Sequence, residues 1–507
     1  MNAASVSENT AFEDRPDIIV RNPVTGEIVG AVPNLSSAQI AAIAERARAA
    51  QPAWENLGVR KRAHLLRAWA DLLWDQRDEM IRIIRSETGK NKTGALSEIF
   101  GTDFGVTYYF HRAAHFLRPR RAQPLFPVFQ RLTVHYRAHG LVGILAPWNY
   151  PLLLVTSELV PALIAGNAVL LKPSELTPHT SLFIADLMYR VGVPKEILHV
   201  ITGDGLTGAG VIDAVDYIHV TGSTTTGRKV AIRAAERLIP YSLELGSKDP
   251  LIILRDSNLD LAVTGAIKGA FENAGQACVS TERVYVEDAI YDRFVERVRH
   301  FAQKMKVGSE DGMGVHMGSM THEREMVRVE RHLDEAVAKG AKIIVGGKRR
   351  PDLGPLFFEP TVVVDVDHTM ALMREETFGP ILPIMRVRDA DEAIRLANDS
   401  DFGLSGSIYT RDLQRAEQMA KRIRTGDVGI NRTGLVTIGT PTLPSGGEKE
   451  SGIGRRNGEQ GLMRFVKSQS ILTDKLLYNP ARIEFIDPLT LLGVHLIRIL
   501  RRWLPFI

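Results

Sequence analysis

One thiol stands in the whole chain. Cys278 is the only cysteine among 507 residues, so neither an intrachain disulfide nor a cysteine-built metal cluster is open to it. It closes the stretch Phe271-Glu272-Asn273-Ala274-Gly275-Gln276-Ala277-Cys278, a small, glycine-bearing approach followed by the β-like run Arg283-Val284-Tyr285-Val286. A thiol so placed is either a buried, inert side chain or a nucleophile held in a pocket. Glu244 lies between leucines in Leu243-Glu244-Leu245-Gly246-Ser247-Lys248. Burial raises a carboxyl pKa and makes it a candidate general base; the plainer reading is a salt bridge to Lys248. Lys172 and Glu175 follow an apolar run, at the strand end where open α/β sheets bind ligands. A carboxylate there can accept from both hydroxyls of a ribose, or the segment is a solvated turn. Thr221-Gly222-Ser223-Thr224-Thr225-Thr226-Gly227 follows a strand and opens a helix. That is the setting for an anion on free N–H groups, or for a capped helix with no ligand.

The elements that must position these groups follow from periodicity. Ile18–Arg21 and Ile28–Val32 read as strands around a turn at Asn22–Glu27. Ser36–Trp54, Val59–Thr88 and Lys92–Phe116 read as helices, with Ser36 or Ser37 as the first cap, and this opening third carries no evident chemistry. Arg131–Arg137 alternates like a half-exposed strand. Gly140–Ala146 is apolar throughout and stops at Pro147-Trp148-Asn149-Tyr150-Pro151. Strands at Ala168–Leu171, Ile197–Ile201, Tyr217–Val220 and Ser242–Leu245 then alternate with helices at Thr180–Tyr189 and Gly227–Leu238. A second set follows: helices Leu259–Gly275, Ala289–Met305, Glu323–Lys339, Ala390–Asn398 and Leu413–Ile423, and strands Ala341–Val345, Thr361–Val366, Pro380–Arg386, Ser405–Tyr409 and Val428–Asn431. Such alternation implies mostly parallel sheets covered on both faces.

Composition sets the class. With 44% apolar and 24% charged residues the chain has an ordinary globular make-up. A formal charge of +4 is small for the length, and without a basic stripe or zinc-finger spacing no nucleic-acid partner is expected. One cysteine suits a reducing compartment, no secretory leader is read at Met1–Arg15, and no run of about eighteen apolar residues predicts a spanning helix. The expected location is the cytoplasm.

Several motifs occur in the order seen in one superfamily: Pro147-Trp148-Asn149, Gly166-Asn167-Ala168-Val169-Leu170-Leu171-Lys172-Pro173, Thr221-Gly222-Ser223, Glu244-Leu245-Gly246, Gly275-Gln276-Ala277-Cys278, Glu376-Thr377-Phe378-Gly379-Pro380 and Ser451-Gly452-Ile453-Gly454. Over roughly residues 15 to 475 the chain resembles the aldehyde dehydrogenase superfamily. The resemblance implies an α/β fold with a Rossmann-type cofactor domain, an α/β catalytic domain and a small bridging β element. The boundaries expected are 1–130 and 140–246 for the NAD-binding domain, 247–442 for the catalytic domain, 131–139 and 462–475 for the bridging strands and 476–507 for a C-terminal extension. It implies oxidation of an aldehyde to the acid through a thiohemiacetal and a thioester on Cys278, with Asn149 at the oxyanion and Glu244 activating the hydrolytic water. No step calls for a metal. Cofactor contacts carry over to Lys172 and Glu175 at the adenosine ribose, Gly222 and Ser223 at the pyrophosphate, Glu376 and Phe378 at the nicotinamide ribose, and Leu145, Trp148, Leu245 and Gly246 along the path. Glu175 favours NAD, because a carboxylate repels the extra phosphate of NADP; NADP is the alternative. A homodimer or homotetramer is implied.

The chain departs from the common pattern at Ser247, where a second glycine is usual, and at Ser445, where an aromatic is common; the latter is expected to widen or wet the substrate mouth. The Pro119–Pro127 segment, Gly354–Pro360 and the tail after Arg455-Arg456 resemble a bacterial succinate-semialdehyde dehydrogenase branch. That substrate wants a cation for its distal carboxylate, whereas Thr156-Ser157-Glu158 stands where such members place an arginine, and Glu158, if inward, repels it. With Leu152-Leu153-Leu154-Val155 beside the site, an apolar or broad aldehyde is the main expectation. Succinate semialdehyde is the first alternative, and a coenzyme A-acylating relative, which commonly lacks the base, the second. The tail Pro488–Ile507 reads as a basic amphipathic helix that lies on a membrane surface or caps a neighbouring subunit.

Overall fold

The computed structural model describes residues 15–124, 130–434, 440–474, 495–496 and 498–499. The chain divides into two units, Met1–Phe116 with Ala138–Phe465, and Leu117–Arg137 with Val466–Ile507. The first unit holds two large sheets. The six-stranded sheet runs in the order Gly452–Ile453, Tyr241–Glu244, Tyr217–Thr221, Leu141–Leu145, Ala168–Lys172, Leu198–Val200. All its pairings are parallel except the edge strand Gly452–Ile453. The chain order moves outward in both directions from Leu141–Leu145, so the crevice for a ligand lies where that strand meets Tyr217–Thr221. These strands are apolar because both faces are covered: Val142, Ile144, Val169, Leu170 and Ile218 are fully buried.

The seven-stranded sheet runs Lys342–Val345, Thr361–Val364, Ile381–Val387, Thr281–Glu287, Asp249–Ile253, Ser405–Tyr409, Asp427–Ile430. Its core packs Leu251, Ile252, Val284, Val286, Phe294, Val329 and Ile384. Asp249–Ile253 is central, although the sequence offers no alternation there and carries a proline. Pro250 is tolerated because the register with Thr281–Glu287 slips between Asp249 and Pro250, the bulge at which a proline can enter a sheet.

Two expected helices are interrupted. Val59–Thr88 is two helices, Val59–Asp75 and Arg77–Thr88, meeting at Gln76 with ψ 15°. The first packs on Lys92–Phe116, Leu153–Ala165 and Pro178–Arg190, the second on Lys92–Phe116, Pro178–Arg190 and the strand Ile18–Arg21; the sequence periodicity does not reveal this partial change of partners. Leu259–Gly275 is helical only to Phe271. Asn273, Ala274 and Gly275 then take φ of 52°, 55° and 71°, a left-handed run that costs free energy at the two side-chain-bearing residues. Ser36 caps Ser37–Asn56 in a reciprocal capping box with Gln39, as its position before the periodic run suggests.

The second unit is a three-stranded sheet in the order Val466–Asp474, Gln130–Ala138, Arg120–Ala122. Val466–Asp474 is exposed along nearly its whole length. Of the C-terminal extension only His495, Leu496, Arg498 and Ile499 are described, helical and exposed; the amphipathic pattern at Pro488–Ile507 otherwise lies outside the described residues. No helix among the described residues is long and apolar enough to cross a membrane.

Candidate active site

A cleft of about 840 Å³ opens at the carboxyl ends of the six-stranded sheet. It is lined by Leu145, Trp148, Asn149, Lys172, Glu175, Gly222, Ser223, Leu245, Gly246, Cys278, Glu376 and Phe378, among others. The structure therefore gathers every residue expected to act in catalysis or in cofactor binding except Glu244, which is buried next to Leu245 in the chain. A second, smaller cavity of about 50 Å³ borders it across Leu154 and is lined by Thr102, Tyr109, Ser157, Arg456 and Asn457 with apolar neighbours.

Cys278 reaches the cleft through the left-handed turn. Gly275 is required there twice over: its φ is positive, and a Cβ would collide with the Gly379 carbonyl. Gln276 braces the turn by donating its side-chain amide to Asn273 O at 2.9 Å and accepting from Thr321 N at 2.9 Å. The thiol is partly exposed to the cleft. Burial of its surroundings pushes it up to about 12; Arg456 opposes that rise, while the carboxylates of Glu244, Asp249 and Glu376 add to it. Ser247, the departure from the common glycine, donates its hydroxyl to the Cys278 carbonyl and its N–H to Glu376 Oε1 at 2.9 Å.

Asn149 is buried, and its side-chain amide donates to Gln276 O at 3.1 Å, which leaves a second N–H on the same nitrogen. Its own carbonyl accepts from Lys90 Nζ at 2.8 Å and Asn273 Nδ2 at 3.0 Å. Lys90 pairs with Glu98 at 2.6 Å with both side chains fully buried, and Glu98 Oε2 accepts from Leu152 N and Leu153 N at 3.0 Å each. The opening helical third, from which no chemistry was expected, thus supplies the buried ion pair that pins the Asn149 turn and caps the helix behind it. No local pattern marks Lys90 or Glu98, since 59 residues of chain separate Lys90 from Asn149.

Glu244 is 5% exposed. Its partner is not Lys248, which instead pairs with Glu282, but Arg456, whose Nη2 stands 3.7 Å from Glu244 Oε2. Glu244 Oε1 is buried with no hydrogen-bond partner, and a Cβ on Gly446 would stand 3.0 Å from it. Desolvation raises the Glu244 carboxyl to about 7, against Arg456, and Asp427 raises it further. A carboxyl poised near neutrality with one free oxygen suits proton abstraction from water.

The residues expected at the cofactor divide between two ends of the cleft. Ser223 caps the Thr224–Glu236 helix, accepting from Thr226 N at 3.2 Å. The sequence left a capped helix and an anion site as rivals; the cap is present and the same residues line the cleft. A Cβ at Gly222 would meet nothing within 4 Å, so open space lies before this helix end, which suits a pyrophosphate. Lys172 is 8% exposed at the end of its strand, with Nζ 4.0 Å from the exposed Glu175 carboxylate. At the other end Trp148 and Phe378 meet edge to face at 5.5 Å. Burial and Glu282 raise the Glu376 carboxyl to about 8.

Two expectations are corrected. Glu158 does point inward, but it does not face the cleft as a bare charge. It is fully buried, bound by Arg464 and standing 3.7 Å from Arg456 Nε and 3.5 Å from His219 Nε2. Ser445 is 2% exposed, donates to Asp427 Oδ2 at 2.7 Å and lines neither cavity, so it does not wet the mouth.

The profile of the aldehyde dehydrogenase family matches residues 10–471. A Mycobacterium tuberculosis protein, named as a candidate succinate-semialdehyde dehydrogenase of the NADP(+) type, is 39% identical over 488 residues, covering 96% of this chain and 92% of that one. A glutarate-semialdehyde dehydrogenase of Pseudomonas aeruginosa is 36% identical, over 89% of this chain and 92% of its own. Among solved structures, succinate-semialdehyde dehydrogenase from Burkholderia pseudomallei superposes with a TM-score of 0.87 at 35% identity, over 90% of this chain and 95% of that one.

Proposed function

The chain belongs to the aldehyde dehydrogenase family and oxidises an aldehyde with NAD(P), and from that premise we propose that Cys278 is its nucleophile, Glu244 its base and Asn149 its oxyanion donor. The observation that carries the reading is their convergence. The one thiol and the Asn149 amide share a cleft, and the buried Glu244 lies just behind it with one oxygen free. The Cys278 sulfur adds to the aldehyde carbon, and the alkoxide oxygen so formed takes the second N–H of the Asn149 amide. The bound dinucleotide supplies the hydride acceptor. The resulting thioester on Cys278 is attacked by water whose proton passes to Glu244, and the same amide stabilises the second tetrahedral oxygen. Lys172 and Glu175 hold the adenosine ribose, Gly222 and Ser223 the pyrophosphate and Glu376 the nicotinamide ribose, with Leu145, Trp148, Leu245, Gly246 and Phe378 as walls. Glu175 favours NAD, although the mycobacterial relative is named for NADP(+). In this reading 1–130 and 140–246 bind the dinucleotide, 247–442 carry the thiol, and 131–139 with 462–475 bridge subunits through the exposed strand.

The substrate is the semialdehyde of a short dicarboxylic acid, the alternative rather than the main expectation from sequence. Two observations support it. Relatives of succinate- and glutarate-semialdehyde type align along nearly the whole chain, and the charge that counted against such a substrate, Glu158, is matched by arginines. A panel of acetaldehyde, succinate semialdehyde, glutarate semialdehyde and decanal, scored by kcat/KM with NAD and with NADP, tests this. The semialdehydes should lead by at least about tenfold, a difference of ~1.4 kcal/mol. A lead for decanal would overturn the assignment, and a rate that needs coenzyme A would favour the acylating relative.

A further inference from the structure

The described mechanism leaves unused a buried cation that stands beside its base. Arg456 is 4% exposed and its backbone is clamped on both sides, N donating to Ser445 O at 2.7 Å and O accepting from Ser445 N at 2.9 Å. Its guanidinium bridges two carboxylates, with Nε 3.7 Å from Glu158 Oε1 and Nη2 3.7 Å from Glu244 Oε2. Nη2 also donates to Thr221 Oγ1 at 3.4 Å. Glu158 is already matched by Arg464, whose remaining Nη1 reaches Ser242 Oγ at 3.3 Å. His219 sits below with both ring nitrogens on hydroxyls, Nδ1 at Ser242 and Nε2 at Thr221. Burial and Arg456 push its pKa well down, so it is neutral.

Charge counting then decides what Arg456 is for. Two arginines and one carboxylate leave a positive charge unmatched in a dry site, and an unmatched buried charge is costly. Among the described residues Glu244 is the second carboxylate within 4 Å of Arg456. We propose that Arg456 is a positioning residue for the reaction: anchored by Glu158, it keeps the neighbouring Glu244 in its carboxylate form and turned toward the thioester, and its charge also eases ionisation of Cys278. The groups that bear on this pair come from several elements. Asp427 and Arg455 act on Glu244, with Asp427 opposing Arg456 and Arg455 reinforcing it. Asp249 and Glu376 oppose Arg456 at the thiol, and Tyr109 packs on the far side under the influence of both Arg456 and Arg464. Arg456 is the largest favourable charge at both the base and the nucleophile.

This inference rests on the assignment of Glu244 as base, and the experiment separates the two. Full-length protein carrying Arg456→Met, Arg456→Lys or Glu158→Gln is compared with wild type in two pH profiles: the acid limb of kcat, and the rate of Cys278 alkylation by iodoacetamide without cofactor or substrate. Arg456→Met should move the acid limb up by about one pH unit and slow alkylation at pH 7 about fivefold or more. Arg456→Lys should restore most of both. Glu158→Gln, which leaves Arg456 with Glu244 as its main counter-ion, should move the limb the other way. A uniform fall in kcat across pH with both profiles unmoved would show a merely structural arginine and overturn the proposal. Should Arg456→Met fail to fold, the Glu158→Gln shift alone decides by its sign. If Glu244→Gln remained fully active, the base assignment itself would fall, whereas an inactive Glu244→Gln beside an unmoved Arg456→Met profile would sink only the inference.

Discussion

At the scale of single residues, Cys278 could be singled out because it stands alone, while the motif order, not its solitude, pointed to a nucleophile. A chain with one cysteine, reached through a glycine-bearing approach and followed by a strand, narrows the possibilities before any fold is known. Cys278→Ala is expected to lower kcat/KM by at least about 10³-fold while leaving dinucleotide affinity within about twofold, measured by steady-state kinetics and fluorescence titration. Glu175 could be singled out by its place just after the apolar strand Ala168–Lys172. Glu175→Ser should cut the ratio of kcat/KM with NAD to that with NADP by about tenfold, ~1.4 kcal/mol of discrimination; an unchanged ratio would remove Glu175 from the ribose. The partner of Glu244 was not legible. Lys248, four residues on, looked plausible, but the strand ends at Glu244, the chain changes course before Asp249, and Lys248 belongs to Glu282. The true partner, Arg456, lies more than 200 residues downstream, beyond any local pattern.

At the scale of elements, the strands and helices of both sheets follow their hydrophobic periods closely, and the misreadings fall where tertiary contact overrides local preference. Pro250 concealed a central strand because its bulge depends on a neighbour not yet placed. The helix before Cys278 runs four residues short of its apparent pattern, because the chain must turn left-handed to deliver the sulfur. The buried Lys90–Glu98 pair was invisible for the reason that made the opening helices look inert: it acts at a distance, on the Asn149 turn. Breaking one side of a buried, hydrogen-bonded pair strands a charge and costs about 3 kcal/mol or more. Glu98→Gln should therefore lower the melting temperature measurably and reduce kcat more than it raises KM, because the oxyanion donor is displaced rather than the binding surface. A variant with native stability and native kcat would show that Lys90 alone suffices to hold Asn149.

At the scale of the whole molecule, several carboxyls carry raised affinity for protons, among them Glu87 to about 7, Glu244 to about 7 and Glu376 to about 8, each mainly through desolvation. An unfolded chain releases these protons near the ordinary value of 4.5, whereas the folded one holds them, so raising the pH between those values favours unfolding. Histidines lowered by burial, His219 above all, oppose this trend below their ordinary value of 6.5, so the cofactor-free protein should lose thermal stability from about pH 6.5 to about pH 8 in differential scanning fluorimetry; a rising profile there would contradict the burial of these carboxyls. The exposed strand Val466–Asp474, with Ile471 and Leu472 facing solvent, is a strand edge of the kind proteins cover, and light scattering should give a dimer or tetramer rather than a 56.1 kDa monomer. The left-handed turn at Asn273–Gly275 carries a consequence in time as well as in space. Its hydrogen-bonded braces come from Asn149 and Thr321, each tens of residues or more away in the chain, and loops of that length close late because their entropy must be spent before any contact repays it. During refolding, therefore, helical ellipticity should return well before the sulfur finds its seat, and catalytic competence should be the last property the chain regains.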